Sequence, residues 1–180
     1  DHIPPRGIFP VPRPTDLVTV PACAECNQGS SELDERFRAY LSLHVGLDSP
    51  ATATLWVQRT LPRIRRRPSF RNQLLTQIEP VFLQSRLGVI VGRGYRLPWD
   101  PLVHKAVIDR TIRGLYFHHY GEILGERVAL RTHWFSELKP DLVEVSLDWS
   151  QSSIGGDPFV SRFARAEDGP RPSSWLFQFH

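Results

Sequence analysis

The stretch Asp1–Asn27, DHIPPRGIFPVPRPTDLVTVPACAECN, constrains the fold more than any other part of the chain. Pro4, Pro5, Pro10, Pro12 and Pro14 lack backbone donors, so the loop they stiffen cannot serve as a ladder strand. His2-Ile3 before it and Leu17-Val18-Thr19-Val20 after it read as strand residues. Together they predict a hairpin with a long, rigid connection. The same stretch opens on an acid–histidine pair and closes on Cys23-x-x-Cys26-Asn27. These side chains bind divalent metal, bind zinc and activate water.

The 180 residues fit one ordinary domain, or a small module joined to a medium one. With 41% hydrophobic residues the chain can bury a core, which excludes a disordered polymer. It contains no Met and ends on the alternating run Trp175-Leu176-Phe177-Gln178-Phe179-His180, so the expectation is an internal piece of a longer protein. The formal charge is +3, carried by 20 Arg against Lys105 and Lys139. That bias fits either a coding preference or bidentate phosphate contacts. No run approaches the ~20 apolar residues of a membrane span. No membrane partner and a cytoplasmic location are therefore expected.

Further along, Ser30-Ser31 with Glu32, Asp34 and Glu35 forms a helix start, since acids complement the positive end of the dipole. Leu33, Phe37, Tyr40 and Leu41 continue it at helical spacing, and Gly46 is the expected stop. A boundary is expected near Asp48-Ser49-Pro50, dividing residues 1–47 from residues 50–180. Ala51–Ile64 and Phe70–Ile78 read as helices, and Val89–Val91 with Tyr95–Leu97 as a short hairpin around Gly92-Arg93-Gly94. Asp100-Pro101 opens the clearest helix of the second half. Its stripe is Val103, Val107, Ile108, Ile112, Leu115 and Tyr116, and Gly121 is its cap. Val128–Leu130, Leu142–Val145, Phe159–Phe163 and Trp175–Phe179 alternate as strands do. The expected class is α+β, with a helix packed on an antiparallel sheet.

Cleaving a phosphodiester requires an activated water, charge neutralisation and a stabilised leaving oxygen. His2 can act as general base near neutral pH. Asp1 and Asn27 offer hard oxygens to a Mg²⁺-type ion, which takes few protein ligands. Cys23 and Cys26 are too close in sequence to staple a domain, and no βαβ context supports a redox motif. They read as half of a tetrahedral zinc site, with the other ligands expected upstream of Asp1.

Asp1-His2-Ile3-x-Pro5, then Asp16-Leu17, then Cys23-x-x-Cys26-Asn27 resembles the HNH endonuclease family in its zinc-containing form. The likeness covers roughly the first 45 residues and extends to a bacterial HNH-like subgroup. It implies an N-terminal ββα-metal (treble-clef) module in residues 1–47, followed by an α+β domain in residues 50–180. It further implies that Asp1 and Asn27 hold a catalytic Mg²⁺ or Mn²⁺ and that His2 is the base. Cys23 and Cys26 would hold structural Zn²⁺, and DNA would be the substrate. Asp16 stands where the family usually has the Asn that orients the histidine; its carboxylate can still accept hydrogen bonds.

Arg63, Arg65, Arg66 and Arg67 suit either a phosphate backbone or a solvated helix end. Asp34 and Glu35 read as a solvated first helical turn. His118, His119, His104 and His133 read as packing and capping residues. The expected function is metal-dependent hydrolysis of DNA, and the alternative is a zinc-stabilised module that grips nucleic acid or protein without cutting.

Overall fold

A computed structural model describes residues 1–44, 49–85, 87–125, 127–135, 140–146, 149–154, 159–165 and 173–179, with the side chains of Glu25, Cys26, Gln28, His44, Val143, Ser146 and Arg165 outside that description. Strands β1 (His2–Ile3) and β2 (Val18–Thr19) pair antiparallel, His2 opposite Thr19 and Ile3 opposite Val18. The hairpin and its long connection are therefore present as expected. Inside the connection Arg6–Ile8 make a 3₁₀ turn. Farther on, the backbone N–H of Val11 donates to Gln58 Oε1 at 2.8 Å, while Gln58 Nε2 donates to the Val11 carbonyl at 3.3 Å.

Helix α1 (Ala24–Gly29) starts directly after Cys23, and α2 (Ser31–His44) follows with Glu32 and Asp34 in its first turn. The expected stop at Gly46 and the boundary residue Asp48 lie outside the described residues. Helices α3 (Pro50–Leu55) and α4 (Leu61–Arg66) are joined by a widened π-type turn, Trp56–Thr60. Pro62 accounts for it: without a donor, the proline cannot close the ordinary i→i−4 ladder, and the chain widens locally. Helix α5 (Pro68–Leu75) then leads into an antiparallel ribbon of β3 (Glu79–Gln84) and β4 (Ile90–Arg96).

That ribbon corrects the expected turn at Gly92-Arg93-Gly94. These residues lie inside β4, where Gly94 pairs with Val81 and Gly92 with Leu83. Both strands of a two-stranded ribbon are edges, which is why Pro80 is tolerated within β3. Two other expected strands are absent among the described residues. Val128–Leu130 has no regular structure, and Leu142–Val145 lies within helix α7 (Pro140–Ser146). Pro140 at the helix start and Asp141 in the first turn favour a helix over a four-residue alternation. The C-terminal sheet has the order β5 (Ser150–Ile154), β6 (Phe159–Arg165), β7 (Ser173–Phe179), all antiparallel.

The longest helix is α6 (Pro101–Tyr120). Asp100 caps it by accepting from the N–H groups of Leu102 and Val103, at 3.1 and 3.2 Å. Gly121 ends it in the left-handed conformation at φ 67°, where a side chain would be strained. All six stripe residues of α6 are buried. All but Tyr116 join Ile3, Ile8, Phe9, Val20, Phe37 and Leu41 from before residue 48, and Ile154 and Phe159 from the sheet, in one hydrophobic cluster. The architecture is α+β, with α6 and α2 sharing a core with the three-stranded sheet. Among the described residues no helix is long and apolar enough to cross a membrane.

Of the histidines read as packing and capping residues, His104 and His119 pack against aromatic rings. His104 is fully buried at the start of α6, stacked on Trp99 with ring centroids 3.2 Å apart. His119, at the other end, lies 4.3 Å from the Phe163 ring. Burial, and then the neighbouring His118, lower the His119 pKa from its ordinary value. The unfolded chain therefore takes up this proton first, and stability falls as pH drops through the unfolded value near ~6.5. Urea titrations at pH 7.5 and 5.5 are expected to show a smaller acid loss in His119→Gln than in the parent protein.

Candidate active site

Asp1, His2 and Asn27 come together. Backbone pairing carries β1 one residue beyond His2: the Val20 N–H donates to the Asp1 carbonyl at 2.9 Å, and the Asp1 nitrogen donates to the Val20 carbonyl at 2.7 Å. Asn27 lies on α1, where its N–H donates to the Cys23 carbonyl at 3.0 Å and its carbonyl accepts from Ser30 Oγ at 2.9 Å. The hairpin end and the start of the helical pair thus face one open cleft of about 440 Å³. Its lining includes Asp1, His2, Thr19, Asn27 and Ser31, together with Arg6, Gly7, Arg13, Asp34, Glu35 and Arg38.

The carboxylates are held from behind. Asp1 Oδ1 accepts from the His2 backbone N–H at 2.8 Å, and Asp1 Oδ2 lies 3.5 Å from Arg110 Nε of α6. The same guanidinium pairs with Asp34. Glu35 takes Arg63 at 2.6 Å and Arg67 at 3.1 Å. Asp34 and Glu35 are therefore half-buried ion-pair partners, where the sequence reading expects a solvated turn. Burial raises the Asp34 carboxyl above its ordinary pKa, outweighing the opposing attraction of Arg110 and Arg38. A buried carboxylate keeps this cost even beside a cation because desolvation penalises the charged form.

His2 moves the other way. Partial burial, then the positive charges of Arg6 and Arg13, lower its pKa from the ordinary value. A lowered value keeps the imidazole neutral near pH 7, the form that accepts a proton.

The remaining expected site residues are dispersed. Asp16 is exposed in the hairpin connection and is not among the residues lining the cleft. Cys23 is exposed just before α1, and Cys26 sits about one helical turn later, its side chain outside the described residues. Of the basic run, Arg63 and Arg67 turn to Glu35, while Arg65 and Arg66 are exposed. Among the described residues no three His, Cys, Asp or Glu side chains are gathered as a metal site. Asp1 and Asn27 nevertheless suit a hard cation that keeps most of its waters: an acid and an amide oxygen in one open cleft. Arg110, Arg38 and Arg13 carry no sequence motif; only their place around the cleft marks them.

Comparison of the chain with protein-family models, with curated proteins and with solved structures finds no match.

Proposed function

We propose that the cleft hydrolyses phosphodiester bonds in DNA in the manner of HNH endonucleases. One observation carries this reading: the adjacent Asp1 and His2 and the sequence-distant Asn27 line the same open cleft. In this reading the neutral His2 imidazole takes the proton from the attacking water at a ring nitrogen. Arg110 fixes the Asp1 carboxylate by its contact at 3.5 Å, and Ser30 fixes the Asn27 backbone. A divalent cation held by Asp1 and Asn27 would supply charge neutralisation at the phosphate. Cys23 and Cys26 would contribute two of four zinc ligands bracing α1. Residues 1–47 would then form the ββα-metal module, and residues 50–180 an accessory part that supplies Arg110 from α6.

The test is nicking of supercoiled plasmid by the intact protein with Mg²⁺ or Mn²⁺, with and without EDTA. Nicking that EDTA stops is the expected result. Binding without any cutting in either metal would leave the non-catalytic binding module as the better account.

A further inference from the structure

The charges around the cleft do not cancel. Its three lining carboxylates are each engaged by an arginine outside the lining: Asp1 and Asp34 by Arg110, Glu35 by Arg63 and Arg67. Its three lining arginines have no such counterpart. Among the described residues no carboxylate comes within ion-pair distance of Arg6, Arg13 or Arg38, while every one of the lining acids is already paired.

Arg38 is the most telling of the three. It rises from α2 toward the 3₁₀ turn, close enough that a Cβ on Gly7 would lie 3.4 Å from its Nη1. Its Nε is buried and makes no hydrogen bond among the described residues. Burial lowers the Arg38 pKa despite the attraction of Glu35 and Asp34, which are themselves engaged by Arg63, Arg67 and Arg110, so a bound anion would offset desolvation that these acids do not. Burial, followed by the like charges of Arg59 and Arg6, also lowers the Arg13 pKa, consistent with crowded positive charge at this rim. Arg6 and Arg13 are exposed on the proline-stiffened connection, so they can meet a ligand without unfolding anything.

We infer that Arg6, Arg13 and Arg38 form a phosphate-binding wall that seats successive backbone phosphates of a nucleic-acid strand beside His2. Guanidinium donors match phosphate oxygens bidentately, and these three line the same cleft as the proposed base. This inference rests on the phosphodiester reading of the cleft and adds the residues that hold the strand. It also shifts the expected nucleic-acid contact from the helix-end run toward the hairpin connection, because Arg63 and Arg67 are already engaged by Glu35.

The experiment measures binding of a fluorescein-labelled 20-base-pair duplex by anisotropy, in EDTA and over a range of NaCl. Because no metal is present, binding is read independently of cutting. Arg6→Gln and Arg13→Gln are each expected to weaken binding about three- to tenfold and to reduce the salt slope by about 1. Arg131→Gln, an exposed change of equal charge elsewhere, is expected to keep the parent slope. Arg38→Gln should follow the first two, with its folding checked by circular dichroism. Parent-like affinity and slope in both Arg6→Gln and Arg13→Gln would overturn the wall. So would inorganic phosphate competing as strongly, per phosphate, as the duplex, because the wall would then hold a lone anion. Absence of metal-dependent nicking by the parent protein, with these binding effects intact, would instead count against the hydrolytic reading alone.

Discussion

His2→Ala in the intact protein is expected to abolish metal-dependent nicking, a loss of about 10²–10⁴-fold, the range associated with a positioned general base. The fold should survive. His2 is only partly buried, whereas the neighbouring Ile3, 1% exposed, carries the packing of β1. The backbone pairing of His2 with Thr19 does not involve the imidazole. Alanine therefore removes the proton acceptor and little else. Zinc content should be unchanged, because the cysteines lie beyond the hairpin. Duplex binding in EDTA should also persist, since the arginine wall is untouched. Cleavage at parental rates by this variant would remove His2 from the chemistry.

Gly114→Ala should be nearly as damaging by a different route. A Cβ at Gly114 would lie 2.5 Å from Ile3 Cγ1, 3.0 Å from Cδ1 and 3.1 Å from Cγ2. Ile3 has nowhere to go, because it is enclosed by the shared core. In an isolated helix the change would favour stability by about 0.5–1 kcal/mol. Overpacking costs about 1–3 kcal/mol and outweighs it. The net expectation is a Tm lower by roughly 2–8 °C for a chain of this size. Activity should fall further than stability, since the strand that moves carries His2. The measurement is a thermal melt of Gly114→Ala, Ile3→Ala and the double variant. Positive coupling is expected, with the double variant more stable than the sum of the singles predicts. Strict additivity would mean the two residues do not meet.

The hairpin was legible because prolines forbid a ladder at fixed positions and β-branched residues flank them. Helix α6 was legible from its apolar stripe, its Asp-Pro start and its Gly121 stop. The ribbon of β3 and β4 was not, because exposed strands carry no burial pattern: Phe82, Val91 and Tyr95 are 61, 66 and 80% exposed. Helix α7 was misread because a four-residue alternation fits a short helix equally well. Strand β5, Ser-Gln-Ser-Ser-Ile, offers almost no apolar signal.

The site divides along the same physical line. By itself, the sequence determined which residues could do chemistry and that the hairpin would return Asp1 and His2 toward Asn27. Local geometry and residue type suffice for that. Only the tertiary structure decided their electrostatic setting. Arg110 reaches Asp34 across 76 residues of sequence, because α6 docks on α2 and on β1 through the space left by Gly114. The same packing pairs the lining acids with Arg110, Arg63 and Arg67, and among the described residues leaves Arg6, Arg13 and Arg38 out of direct ion pairs. Ion pairs between distant segments depend on how helices dock, and docking is set by the shapes of buried side chains rather than by any spacing along the chain.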